Sequence, residues 1–365
     1  MASATPPPTT GPTATSGSQP ATASPVPEAP KDDIPSSIEA DDSADFSDYN
    51  DSHRSVASST QSLSSSIRDH VYANGRQYHR KSADEDNQYL LPSDETELDR
   101  LDMVHHLYLT TLDGELYKAP IVGDPPNVLD CGTGTGIWAL DFGSLHPGSH
   151  VIGVDLAPNQ PTWTYPNVEF QTDDLEKEWT FKKNHFNYIH SRGLGTSIRD
   201  WERYTKQMFE HAAPGALVEL SEYSLESSCD DDSMPEDSMS VQWSDAMADA
   251  LEKIGVYVRR FSPLFFREHL EAAGFVDIKV FIYKIPRGSW PKQRKFKYLG
   301  AVCAEASRSG FEAHAMLPMT RLLGMSEEDA RQLCIGAFEN LMLGKEHCYQ
   351  YHWQIVGRKP ESQGA

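Results

Sequence analysis

The pattern in this chain best suited to chemistry is an acid at the end of an apolar run, followed at once by closely spaced glycines: Val128-Leu129-Asp130-Cys131-Gly132-Thr133-Gly134-Thr135-Gly136. A buried strand running into such a loop and then a helix brings bare backbone close to a ligand, because glycine has no side chain to hold it off. Asp130 adds a carboxylate at that point. A second acid, Asp155, ends the next apolar run, Val151-Ile152-Gly153-Val154, where it suits the paired ribose hydroxyls of an adenosine. The spacing separates two cofactors. A pyrophosphate loop reads G-x-G-x-x-G, with backbone N–H groups facing phosphate. Here Gly136 comes one residue early, Ile137 fills the usual glycine slot, and Asp130 would repel pyrophosphate while attracting a sulfonium and its amino group. S-adenosylmethionine therefore fits better than NAD, and an NAD oxidoreductase is disfavoured.

The same logic assigns the other candidates. Gly132, Thr133, Gly134 and Gly136 form the loop against which the methionyl part would lie, and Leu156 follows Asp155 at the ribose. Asp173 and Asp174 close the third apolar run, where a carboxylate accepts from the adenine amino group and the Leu175 N–H donates to the ring. His190, Ser191 and Arg192 close the fourth run, where a transferred methyl would emerge. His190 is the candidate base, and a purely structural histidine satisfies the same position. Displacement at a sulfonium leaves a neutral thioether, so alignment supplies much of the rate and a dedicated base is optional. Upstream, Arg76, Tyr78 and His79 read as a lid, with Tyr78 near the sulfonium or adenine; a lid that only packs fits equally. Trp138 and Trp163 read as core aromatics without chemistry.

The elements that must position these groups alternate from Asn127 onward: strands at Val128–Asp130, Val151–Leu156, Val168–Thr172, Phe186–His190 and Ala216–Tyr223, with helices from Gly136 to about Leu145 and from about Asp200 to Ala212. That is a parallel α/β sheet with right-handed crossovers, whose ligands belong at the carboxyl ends of its strands. Helices over about Ser240–Ile254 and Ser262–Ala273 precede a strand at Phe275–Tyr283, stopped by Gly274. Further helices fill Pro286–Lys345 before a last strand at Tyr349–Gly357. The last two strands form an antiparallel edge pair with helices inserted between them. Residues 67–125 form an N-terminal helical cap, its helix starting near Asp94 with Ser93 as N-cap and burying Leu98, Leu101, His105 and Leu109. Residues 126–360 form the cofactor-binding domain.

Residues 1–66 are rich in Ser, Thr, Pro and Ala, with too little apolar surface to offset the entropy of ordering, and read as a disordered acidic tail. Its nine acids against Lys31 and Arg54 hold about −7 of the net −22. So acidic a chain disfavours direct nucleic-acid binding, which draws on Lys and Arg. The basic cluster Lys292, Arg294, Lys295 and Lys297 reads as a solvated helix start, with a weak nuclear signal or a nucleic-acid patch as the alternative. No run is long and apolar enough to span a bilayer, and the polar N-terminus lacks a signal core, so the expected location is intracellular, in nucleus or cytoplasm, not secreted. Cysteines 131, 229, 303, 334 and 348 lack metal-ligand spacing, and no metal is expected.

Several segments together resemble the fungal LaeA-like methyltransferases: Asn74-Gly75-Arg76-Gln77-Tyr78-His79, Asp99-Arg100-Leu101-Asp102 with His105-His106, Leu112-Asp113-Gly114, the loop running to Ile137-Trp138, Asp155 with Pro158, Gln160 and Pro161, and Tyr188-Ile189-His190-Ser191-Arg192. The resemblance covers nearly everything after the tail. It implies a class I, Rossmann-like, seven-stranded sheet of order 3-2-1-4-5-7-6 and an S-adenosylmethionine-dependent methyltransferase acting on a protein or a small metabolite. It further implies regulation of secondary metabolism or development in the nucleus through velvet-type protein partners. A cofactor-binding scaffold with little catalysis of its own is the alternative. Cys229–Asp232 and Gly310–Leu317, which would frame the acceptor pocket, follow the family pattern only loosely.

Overall fold

The computed structural model describes residues 35–41, 70–79 and 90–361. Its centre is a sheet whose strands are β3 (Asn127–Cys131), β4 (His150–Asp155), β5 (Val168–Thr172), β6 (Phe186–Arg192), β7 (Ala212–Tyr223), β8 (Ser228–Cys229), β9 (Val276–Pro286) and β10 (Cys348–Arg358). The first five lie parallel in the order β5-β4-β3-β6-β7, and β10 pairs antiparallel with β7 on one side and β9 on the other. Counted from β3, this is the expected order 3-2-1-4-5-7-6. The two-residue β8, not foreseen, extends β7's edge along the end of β10.

The inner strands β3, β4 and β6 are buried on both faces, so they carry apolar residues in near-continuous runs, whereas the outer strands β5 and β9 are largely exposed or half-buried. Alternation sends Leu129, Ile152, Ile189 and Val218 to one layer, against α3 (Trp201–His211) and α5 (Pro263–Ala273). Val128, Val151, Val168 and Tyr188 go to the other, against Trp138 and Phe142 of α2 (Ile137–Leu145). A third apolar cluster is formed by α4 (Met239–Glu252), the 29-residue α6 (Arg294–Leu322) and α7 (Glu327–Leu343), with Trp243, Met247, Phe311, Ala315 and Leu341 among its members. No helix among the described residues is long and apolar enough to cross a membrane.

The N-terminal cap differs from its sequence reading. Its helix is α1 (Glu95–Thr111), and the N-cap is Asp94, not Ser93, because the Asp94 carboxylate accepts from Glu97 N. The buried stripe of α1 is partly polar: Glu97 and Arg100 form a buried two-pronged ion pair at 2.6 and 2.9 Å, beside Leu107 and Tyr108, while Leu98, Leu101 and Leu109 are only half-buried. Ahead of it stands a hairpin, β1 (His70–Ala73) and β2 (Arg76–His79), turning through Asn74 and Gly75 with φ of 51° and 76°. Two consecutive positive φ values are what Asn-Gly supplies in a two-residue hairpin. Arg76 clamps the hairpin to α1 by bidentate contact with Asp94 at 2.6 and 2.7 Å. Tyr78 is fully buried in a small cluster with Leu90 and Leu317.

Most of segment 1–66, expected to be disordered, lies outside the described residues. Within it, residues 35–41 dock on the linker between β9 and α6: Ala40 bridges Pro291, Glu39 pairs with Lys292 at 2.7 Å, and Asp41 pairs with Lys297. Lys295 meets Asp113 at 2.6 Å. The three lysines of the basic cluster are thus met by acids of the same chain.

The turn from β3 into α2 gives a test of backbone strain against crowding. A Cβ at Gly136, where φ is 83°, would lie 2.4 Å from Phe170 Cζ, whereas at Gly134, where φ is 58°, the nearest side-chain atom is 3.6 Å away. Gly136→Ala should therefore destabilise by about 2–4 kcal/mol and Gly134→Ala by only about 1–2 kcal/mol in urea unfolding. Equal losses would show that the ring is free to move aside.

Candidate functional site

Asp130 and Asp155 stand at the carboxyl ends of β3 and β4, where the parallel strands open toward solvent and α1. Each carboxylate is engaged by its own surroundings. Asp130, 2% exposed, accepts from Thr133 Oγ1 at 2.6 Å and from His190 Nδ1 at 2.7 Å. The His190 ring stacks on Trp138, with centroids 3.8 Å apart and planes 5° from parallel. Burial lowers the His190 pKa, against the opposing pull of Asp130, so the ring is neutral and its Nδ1–H faces the carboxylate. His190 holds Asp130 rather than facing a substrate, and it does not line the main cavity.

Asp155 fastens the glycine loop from the neighbouring strand. Its Oδ2 accepts from Gly134 N at 2.9 Å and its Oδ1 from Ala157 N at 3.0 Å. Gln160 completes the lock, its Nε2 donating to Gly134 O at 2.7 Å and to Ala157 O at 3.1 Å. A Cβ at Gly132 would come within 2.5 Å of Leu194 Cδ2, so the loop also lies hard against the segment after β6. That segment is held by Glu222, which accepts from Leu194 N at 2.8 Å and Gly195 N at 3.0 Å.

Arg192, on the same face of β6 as His190, reaches α1: both terminal nitrogens donate to His105 Nδ1 at 3.2 Å, and the guanidinium lies 4.9 Å from the Tyr108 ring centroid. Because His105 Nδ1 accepts, its proton sits on Nε2, which donates to Asp141 of α2 at 2.9 Å. Burial lowers the His105 pKa in agreement with that neutral form. Thr135 adds a second tie between loop and cap, donating to Asp102 at 2.7 Å.

One cavity of about 210 Å³ begins at this loop and runs under the helices. Of the cofactor candidates, Gly132, Thr133, Gly134, Asp155 and Arg192 line it. Asp130 lies directly behind, buried by Thr133 and His190. Gly136 makes the turn and faces Phe170. Ser191 points to the opposite face of the strand, accepting from Tyr204 OH at 3.0 Å, because neighbouring strand residues alternate sides. Leu156 is half-buried beside Asp155 and outside the lining. Asp173, Asp174 and Leu175 follow β5, off the cavity; Asp174 Oδ1 accepts from Glu176 N, and its Oδ2 lies 3.4 Å from Lys177 Nζ. Tyr78 is not at the loop, since its ring is taken up by Leu90 and Leu317; Arg76 is committed to Asp94, and the side chain of His79 lies outside the described residues. Trp138 is core, 1% exposed, but Trp163 is 69% exposed and leans on Tyr165 instead.

The far end of the cavity contains groups that no motif announced: Tyr223 and His352 from β7 and β10, Trp243 from α4, Arg287 after β9, and Phe311 and His314 from α6. Gly310, Phe311 and His314 belong to the stretch that departs from the family pattern, and they do wall the chamber. Cys229–Asp232 does not.

Residues 103–280 match the model of a methyltransferase domain. The chain is 38% identical over 305 residues to methyltransferase pytC of Aspergillus terreus, covering 83% of this chain and 92% of that protein. It is 32% identical over 300 residues to secondary metabolism regulator LAE1 of Cochliobolus heterostrophus, covering 79% and 94%, and 31% identical over 295 residues to laeA of Aspergillus fumigatus, covering 79% and 76%. The chain belongs to the fungal LaeA-like family of S-adenosylmethionine-dependent methyltransferases.

The site fits the methyl donor of a LaeA-like enzyme. Three glycines in the left-handed region leave the loop backbone bare, Asp155 keeps acceptor capacity beyond its two backbone bonds, and Arg192 lines the cavity beside the loop. Bound there, the donor supplies an electrophilic methyl on a positively charged sulfur. The chain's own work is to hold that group, exclude water and align the acceptor.

The loop after β6 has a pH-dependent anchor. Glu222 is 1% exposed, and burial raises its pKa to about 8, while Glu219 is raised to about 7. The folded chain holds a proton on Glu222 that the unfolded chain releases at the ordinary glutamate range, so stability falls as pH rises from there through about 8. Glu222→Gln should flatten the decline between pH 7 and 8 by something on the order of 1 kcal/mol, read from urea midpoints. An unchanged slope would place the proton elsewhere.

Proposed function

We propose that this methyltransferase acts on a small molecule enclosed between the glycine loop and helices α1 and α6. The observation that carries the reading is the continuity of one cavity from Gly132–Gly134 and Asp155 to Trp243, Phe311 and His352. A small acceptor fits this cavity because it is lined without a break, from the glycine loop to Trp243, Phe311 and His352, by side chains of sheet strands and helices alike. Asp155 and the loop hold the donor's ribose and methionyl parts, Arg192 its carboxylate, and Asp173 or Asp174 its adenine. His190 is the brace behind Asp130, so no base is assigned on β6, in keeping with a displacement that needs alignment more than proton transfer.

We also propose that the chain works in the nucleus, in regulation of secondary metabolism through velvet-type protein partners. The relatives named as secondary metabolism regulators support the regulatory role; the nucleus and the velvet-type partners rest on the family resemblance alone. The scaffold alternative, binding cofactor without turnover, is separated from catalysis by one variant. Asp155→Asn should weaken S-adenosylhomocysteine binding about 10–100-fold in isothermal titration, through loss of charge-assisted bonds to ribose. Undiminished affinity would refute the ribose assignment, and full cellular function in a variant that binds no cofactor would favour the scaffold.

A further inference from the structure

In a chain of net charge −22, the cavity lining carries Arg100, Arg192 and Arg287 against the single carboxylate of Asp155. Arg100 is neutralised by Glu97. The other two have no carboxylate within 4.0 Å among the described residues. Arg192 stands beside the glycine loop and is matched by the donor's carboxylate. Arg287, 6% exposed at the far end, is left: one terminal nitrogen donates to Ser227 Oγ at 2.8 Å, and its guanidinium lies 5.0 Å from the Phe311 ring centroid. A buried cation without a counter-ion is costly, and an anionic ligand relieves it.

His352 lines the same end. It is 5% exposed, packs between Tyr108 and Tyr223 at centroid distances of 5.2 and 5.6 Å, and its Nδ1 is buried without a hydrogen-bond partner among the described residues. A buried imidazole is ordinarily satisfied, so this one is poised for a ligand group.

We propose that the methyl acceptor is a small organic acid with a flat apolar body, its anion paired with Arg287, its ring against Trp243 and Phe311, and a polar substituent hydrogen-bonded to His352. This specificity site rests on the small-molecule reading given under Proposed function. It explains why a chain so acidic keeps an unpaired arginine inside: the field of the whole protein repels such an acid, and only a buried cation offsets that.

The probes are 3-hydroxybenzoate, its neutral amide 3-hydroxybenzamide, and benzoate, titrated calorimetrically into the full chain saturated with S-adenosylhomocysteine. The hydroxy acid should bind at least about 10-fold more tightly than its amide. Arg287→Gln should erase that preference and Arg287→Lys retain part of it, each leaving S-adenosylhomocysteine affinity within about 2-fold. His352→Phe, which keeps the ring stack, should erase the advantage of the hydroxy acid over benzoate. Equal binding of acid and amide to the unaltered chain, a preference that survives Arg287→Gln, or no saturable binding of any probe would each overturn the proposal, and the first and last need no variant. Failure of S-adenosylhomocysteine itself to bind would sink the donor reading alone, since acid and amide can then be compared on the chain without it.

Discussion

The bond from Gly134 N–H to Asp155, 2.9 Å long and crossing from one strand end to the loop of the next, is the contact on which the site depends. A loop of left-handed glycines has no side chains with which to pack, so its shape must be imposed from outside. Asp155 does this from β4, Gln160 from the segment beyond it, and Asp130 through Thr133 from behind. The same device recurs after β6, where Glu222 takes the N–H groups of Leu194 and Gly195. Along the carboxyl edge of this sheet, buried carboxyl groups do for loops what apolar packing does for strands.

That arrangement reassigns the roles of charged groups. Asp130 is spent on internal hydrogen bonds, and His190 is clamped between that carboxylate and Trp138. Polar groups that do line the cavity include Asp155 and Arg192 near the loop and Arg287 and His352 at the far end. One arginine of the lining also joins layers: Arg192 links β6 to α1 through His105, whereas Arg100 is fixed within α1 by Glu97 where that helix lies along α6. The cap is therefore part of the site's wall rather than a cover laid over it.

How much was legible in the sequence depended on the range of the interaction. Strand and helix order from Asn127 onward followed from apolar runs and glycine stops, because those signals are local. The Asn74-Gly75 hairpin carries its own local signal too, two residues tolerant of positive φ between short alternating segments, which a lid reading of the stretch does not use. Ser93 and Asp94 are both good caps, and only the observed bond to Glu97 N decides between them. Tyr78 and Trp163 went the other way: an aromatic side chain's burial is settled by what lies opposite, here Leu317, more than two hundred residues on, for the first, and solvent for the second.

By itself the sequence determined the sheet, the placement of a glycine loop and two acids at strand ends, and a donor with positive charge, since spacing along one chain fixes which residues share a strand end and which turn is possible. Only the tertiary structure decided which of those groups remain available, because hydrogen-bond capacity is used up by partners from distant elements. It also decided the far end of the cavity. Tyr108, Trp243, Arg287, Phe311 and His352 come from five separate elements, and no motif links residues that become neighbours only when β10 inserts beside β7 and the helices between β9 and β10 fold back over the loop.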